Sequence, residues 1–105
     1  MKGFGNLMKE ARKLQAQLET LKEEVAKRKV EASAGGGMVV VEANGNQEVL
    51  SVKIDREVIT PDDPQMLEDL VLAAVNEALR KAREMVASEM SKLAGGLGGK
   101  LPGLL

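Results

Sequence analysis

Three consecutive glycines, Gly35-Gly36-Gly37, interrupt a chain that otherwise reads as two long helical stretches, and that interruption constrains the fold most. A run of such backbone freedom ends the helix before it and lets the chain reverse. The following stretch, Met38 to Ile54, reads as a β-hairpin. Asn44-Gly45 suits a tight turn with positive φ at its central residues, and Asn46 and Gln47 offer a longer loop. Beyond the turn, Leu50, Val52 and Ile54 alternate with Ser51, Lys53 and Asp55, the period of a strand with one buried and one wet face. Val39, Val41 and Ala43 share the buried face of the first strand. Val40 then points outward and asks for a partner.

Before the glycines a helix is expected over residues 6–32. Leu7, Ala11, Leu14, Leu18, Leu21 and Val25 recur at alternating spacings of four and three, which is a heptad seam. Lys22 and Lys29 flank it on one side and Glu10, Glu24 and Glu31 on the other. Two readings stand: an amphipathic helix lying on the hairpin, or a coiled-coil seam that meets another chain or subunit. Such a helix spans about 40 Å, more than a two-stranded hairpin covers, so part of it should project. Its outward face carries Lys9, Arg12, Lys13, Lys27 and Arg28, either as a solvated face with Glu partners or as a ridge for phosphates.

After the hairpin, residues 57–59 suggest a short edge strand. Asp63-Pro64 then signals a helix start, with Asp63 as N-cap and Pro64 at the first helical position. The second helix is expected over residues 64–93. Its first half is apolar nearly all round, from Met66 to Leu79, and therefore needs cover on every side. Ala73, Ala74, Ala78 and Ala82 permit close backbone approach. Arg80, Lys81 and Arg83 begin the polar half. The glycine-rich residues 95–105 read as a flexible tail beyond a single domain over residues 1–94.

Composition removes most chemistries. The chain lacks cysteine and histidine, which excludes disulfide scaffolds, zinc fingers, thiol catalysis and His-based sites, and no cofactor or metal is expected. The glycine runs lack the strand before and helix after that a phosphate-binding loop needs, and no nucleophile has a recognisable base. With Phe4 the one aromatic residue, stacking platforms for single strands are also missing, so a nucleic-acid partner would be duplex DNA held through its phosphates. Apolar content of 44% without large aromatics suits helix packing and subunit interfaces, and an oligomer is expected. No apolar run is long enough to span a bilayer, and the chain is expected to be soluble and cytoplasmic. The net charge is −1, yet residues 1–31 carry eight Lys or Arg against five Glu, while residues 32–63 carry two against six acidic groups.

The chain resembles the YbaB/EbfC family of bacterial nucleoid-associated proteins over nearly its whole length. The resemblance lies in MKEARKLQAQLETLKEEVA, in Gly-Gly-Gly-Met-Val-Val-Val, in ANGNQEVLSVKID, in EDLVLAAVNEALRKA and in the tail with Leu101-Pro102-Gly103-Leu104. It implies an α+β fold, with a small antiparallel sheet of about three strands between two long helices. It further implies a tweezer-like homodimer that binds duplex DNA with little sequence preference and acts in nucleoid organisation or gene regulation. On that basis Lys9, Arg12, Lys13, Lys27, Arg28, Arg80, Lys81 and Arg83 are the expected DNA contacts. Val39, Val41, Leu70, Leu72, Val75 and Leu79 are the expected dimer interface. A protein-interaction adaptor that clasps a partner through the first helix is the alternative.

Overall fold

The computed structural model describes residues 2–100. Two helices, α1 (Lys2–Lys27) and α2 (Pro64–Lys100), flank three strands, β1 (Lys29–Ala34), β2 (Val39–Asn44) and β3 (Val49–Ile54). The sheet is antiparallel throughout, in the order β1-β2-β3.

The first helix therefore stops five residues short of the expected end at residue 32, and a strand takes its place. In Lys29-Val30-Glu31-Ala32-Ser33-Ala34 the apolar residues fall on alternate positions, opposite Ala43, Val41 and Val39 of β2. Alanine, glutamate and lysine favour helix intrinsically, but pairing along the whole of β2 outweighs that preference. The glycine triplet consequently joins two strands. All three residues have positive φ, at 65°, 67° and 93°, which a side chain resists.

The β2–β3 turn also differs from expectation. Neither Asn44 nor Gly45 has positive φ; Gln47 does, at 65°. The turn is the longer one, closed by Gln47 N–H to Asn44 O at 3.0 Å and Asn44 N–H to Glu48 O at 3.0 Å. The buried Asn44 side chain organises it, accepting from the N–H groups of Asn46 and Glu48 and donating to Glu48 Oε1. Gly45 is required by space. A Cβ there would lie 2.3 Å from the carbonyl oxygen of Val25, so the turn packs directly on the end of α1.

Residues 57–59 form no strand. Arg56–Val58 is a single 3-10 turn, capped by Asp55, whose carboxylate accepts from Glu57 N–H at 2.9 Å. The turn drives Val58 into the core, where it is buried, and leaves Ile59 exposed. Asp63 caps α2 as expected, accepting from Met66 N–H at 3.1 Å. The helix then continues past residue 93 to Lys100, including the glycines Gly95 to Gly99 expected in the tail. Residues 101–105 of that tail lie outside the described residues.

Ala74, Ala78 and Ala82, one turn apart and fully buried, seat α2 on β1 and β2. Their methyl groups bring the helix close, so Val39, Val41, Ala43 and Ala32 fill the core beneath it without any aromatic ring. The helix barely reaches β3, and the inner face of that strand is left uncovered.

Candidate nucleic-acid interface

The long axis of the molecule is 76 Å, longer than either helix alone. Arg28, just past the end of α1, pairs with Glu89 of α2 at 2.9 Å, which brings the base of α1 level with the outer half of α2. From that level α2 continues for about 17 Å and α1, which runs antiparallel to it, for about 39 Å. The overlap buries Val25 and half-buries Leu18 and Leu21, with Met85, Val86, Met90 and Leu93 half-buried on α2. Beyond it α1 overhangs by about 22 Å, and residues 3–17 are all exposed.

This overhang concentrates positive charge. Residues 2–17 hold Lys2, Lys9, Arg12 and Lys13 against Glu10, whereas residues 53–69, at the far end, hold six acidic groups against Lys53 and Arg56. At 3.6 residues per turn Lys9, Lys13 and Lys27 share a stripe on the side of α1 opposite the heptad seam, spanning about 27 Å. None of Lys9, Arg12, Lys13, Lys27 and Arg83 forms an ion pair among the described residues. The other expected contacts are engaged. Arg28 pairs with Glu89, and Lys81 donates to the carbonyl of Glu31 at 3.0 Å. Arg80 is clamped between Glu77 and Glu84. Its hydrogen bond holds the Glu77 carboxyl below the usual carboxylate range.

A second surface lies at the other end. Ile54, Leu67, Val71, Leu72 and Val75, with Glu68 beside them, line an open, mostly apolar groove between α2 and β3. Leu72 is 60% exposed, and Leu50, Val52 and Ile54 are 45%, 42% and 37% exposed. Of the six residues expected at a dimer interface, Val39 and Val41 are fully buried in the chain's own core. Leu70, Val75 and Leu79 are half-buried against that core, and Leu72 faces outward.

The model of the YbaB/EbfC DNA-binding family matches residues 1–97. The chain belongs to that family. Relatives matched over nearly their whole length agree: it is 57% identical to a nucleoid-associated protein of Syntrophobacter fumaroxidans, over 98% of this chain and 96% of that one. It is 56% identical to a nucleoid-associated protein of Acetivibrio thermocellus, over 97% and 93% of the two chains. The uncharacterized protein HP0035 from Helicobacter pylori shares the fold, with a TM-score of 0.60 at 22% identity over 83% of this chain and 96% of that one. For a member of a DNA-binding family, the basic overhang is the candidate interface. The bulk charge near zero hides it, but the basic surplus of the N-terminal residues, with Lys9, Arg12 and Lys13, is already legible in the sequence. No helix among the described residues is long and apolar enough to cross a membrane.

Proposed function

We propose that this chain is a non-enzymatic, nucleoid-located protein that binds duplex DNA as a homodimer, through phosphate contacts from the overhanging part of α1, in nucleoid organisation or gene regulation. The segregation of charge along the long axis carries the reading. Lys9, Arg12 and Lys13 on the overhang would meet the backbone, continued by Lys27 along the same stripe and by Arg83 on α2. Arg28, Arg80 and Lys81 contribute less, because each must first give up a partner it already holds. Phosphate contact by lysine and arginine is additive and indifferent to base sequence.

The homodimer rests on the groove of Ile54, Leu67, Val71, Leu72 and Val75, flanked by the unpaired edge of β3. A second copy would cover both the exposed apolar side chains and the open strand edge, each of which is unfavourable in water. In that arrangement Leu70, Val75 and Leu79 border the contact and Val39 and Val41 support it from beneath. Two arms then act on one duplex, doubling the number of phosphates met.

The test is a binding titration on a duplex of unrelated sequence across a salt series. The log of the affinity should fall linearly with log salt, and Lys9→Glu with Lys13→Glu should make that fall shallower by about two per arm. An unaltered slope in that variant would move the site off the arm. Mass in solution, measured alongside, should be that of two chains, and Leu72→Glu should reduce it to one.

A further inference from the structure

The heptad seam of α1 is only half used. Val25 is 1% exposed and Leu18 and Leu21 are half-buried against α2, yet the same seam continues outward through Leu14, Ala11, Leu7 and Phe4, where Leu14, Leu7 and Phe4 are 40%, 66% and 65% exposed. The groove discussed above lies at the opposite end of the molecule, so a dimer formed there leaves this seam open. We infer that the seam is covered by the same segment of a second copy, the two overhangs lying antiparallel in a lap joint that links one DNA-binding unit to the next.

Continuity of packing gives the direction. The inner seam is filled by α2, which runs antiparallel to α1 and, among the described residues, reaches to about 22 Å from its tip. What continues the packing must be a helix in line with α2, with apolar residues at heptad spacing and about that length. Another overhang meets all three conditions. A two-fold axis near Ala11 sets Leu7 of each copy near Leu14 of the other, and the small alanine lets the helices close at the crossing. Charge agrees. Met8, Glu10, Gln15 and Gln17 flank this part of the seam, a single charge among four, whereas Lys9, Arg12 and Lys13 point away. The joint therefore brings no cations together and leaves the phosphate-binding stripe open on its outside. Two and a half turns of helix bury well under about 1,000 Å², so the joint is weak and reversible by itself. Units held side by side on one duplex would be close enough together to populate it.

The native chain has no cysteine, so Ala11→Cys in the full chain gives a thiol that can oxidise only between copies. Ala16→Cys, also exposed and on the opposite side of α1, is the control. Under mild oxidation of the concentrated protein Ala11→Cys should couple at least about tenfold faster than Ala16→Cys, since a disulfide forms only where Cα atoms come within about 7 Å. The coupled species should have twice the native mass of the reduced unit, or a higher multiple of it where both arms of a unit are joined. Adding Leu14→Glu, which alters an exposed side chain, should bring coupling down to the control rate with helix content unchanged. In Leu72→Glu the same coupling should convert single chains to pairs, which separates failure of the joint from failure of the groove dimer. Equal rates for the two cysteines, or a coupled species of unchanged native mass, would overturn the joint. So would absent coupling together with co-sedimentation of the chain on anionic vesicles.

Discussion

The two halves of α1 share one heptad seam but differ in charge and circumstances: residues 18–27 carry three Glu against two Lys, and residues 3–17 three Lys or Arg against one Glu. From Leu18 to Lys27 the helix lies against α2 and its end abuts the β2–β3 turn; from Gly3 to Gln17 every residue is exposed among the described residues. A helix of about 15 residues is marginal alone in water, so the outer half owes its order to being continuous with the seated inner half. The inner half supplies stability and direction, and the outer half supplies charge and reach. Substitutions should separate these roles.

The largest effect is expected at Gly45. A valine there meets the Val25 carbonyl and should cost about 3 kcal/mol in denaturant unfolding, or else swing α1 off its seat. Next is Val25→Ala, which empties a fully buried site and should cost about 2 kcal/mol, while Leu7→Ala on the same seam should stay within about 0.5 kcal/mol. Equal losses from Val25→Ala and Leu7→Ala would erase the distinction between the halves. A smaller gain is expected from Gln47→Gly, roughly 0.5 kcal/mol, because Gln47 holds a positive φ that glycine adopts without strain.

The smallest effect concerns the tie at the base of the arm. Burial tends to raise the Glu89 carboxyl, but the hydrogen bond from Lys92 and the charges of Arg28 and Lys92 outweigh it and leave the group below its usual value. A carboxyl lowered in the folded state contributes stability above its unfolded pKa and loses it as pH falls through the folded one. The Arg28–Glu89 tie should therefore loosen only in acid, below the ordinary carboxylate value of 4.5. Titration of Glu89 by carboxyl-detected NMR should show its pKa rising towards that value in Arg28→Ala. A pKa insensitive to Arg28 would mean that the pair does not hold the arm in solution.

Much of this was legible in the sequence. Asp63-Pro64 marks the start of α2, Val39, Val41 and Ala43 share a buried face, and the heptad seam runs the length of α1. The strand at Lys29–Ala34 escaped because its alternation is carried by small residues with high helix propensity, so periodicity and propensity pointed in different directions. Val58-Ile59 looked like a strand for the converse reason: two β-branched residues outweighed Asp55, whose capping bond makes a turn. Gly45 illustrates a further limit. Its place in an Asn-Gly pair suggested a conformational need, while its actual constraint is the carbonyl of a residue twenty positions earlier, a contact that no local pattern encodes. The candidate interface was legible residue by residue; which cations are already engaged, and that the unengaged ones gather on an overhang, required the fold.

Because α2 is one unbroken helix from sheet to arm, it behaves as a beam with its fulcrum at Ala74, Ala78 and Ala82. Any tilt at that bearing is multiplied along the lever towards the tip of α1. The direction of the arm is thereby set by the size of three methyl groups in the core, far from the basic stripe. A bulkier side chain at the bearing would re-aim the whole arm without touching a single charged residue.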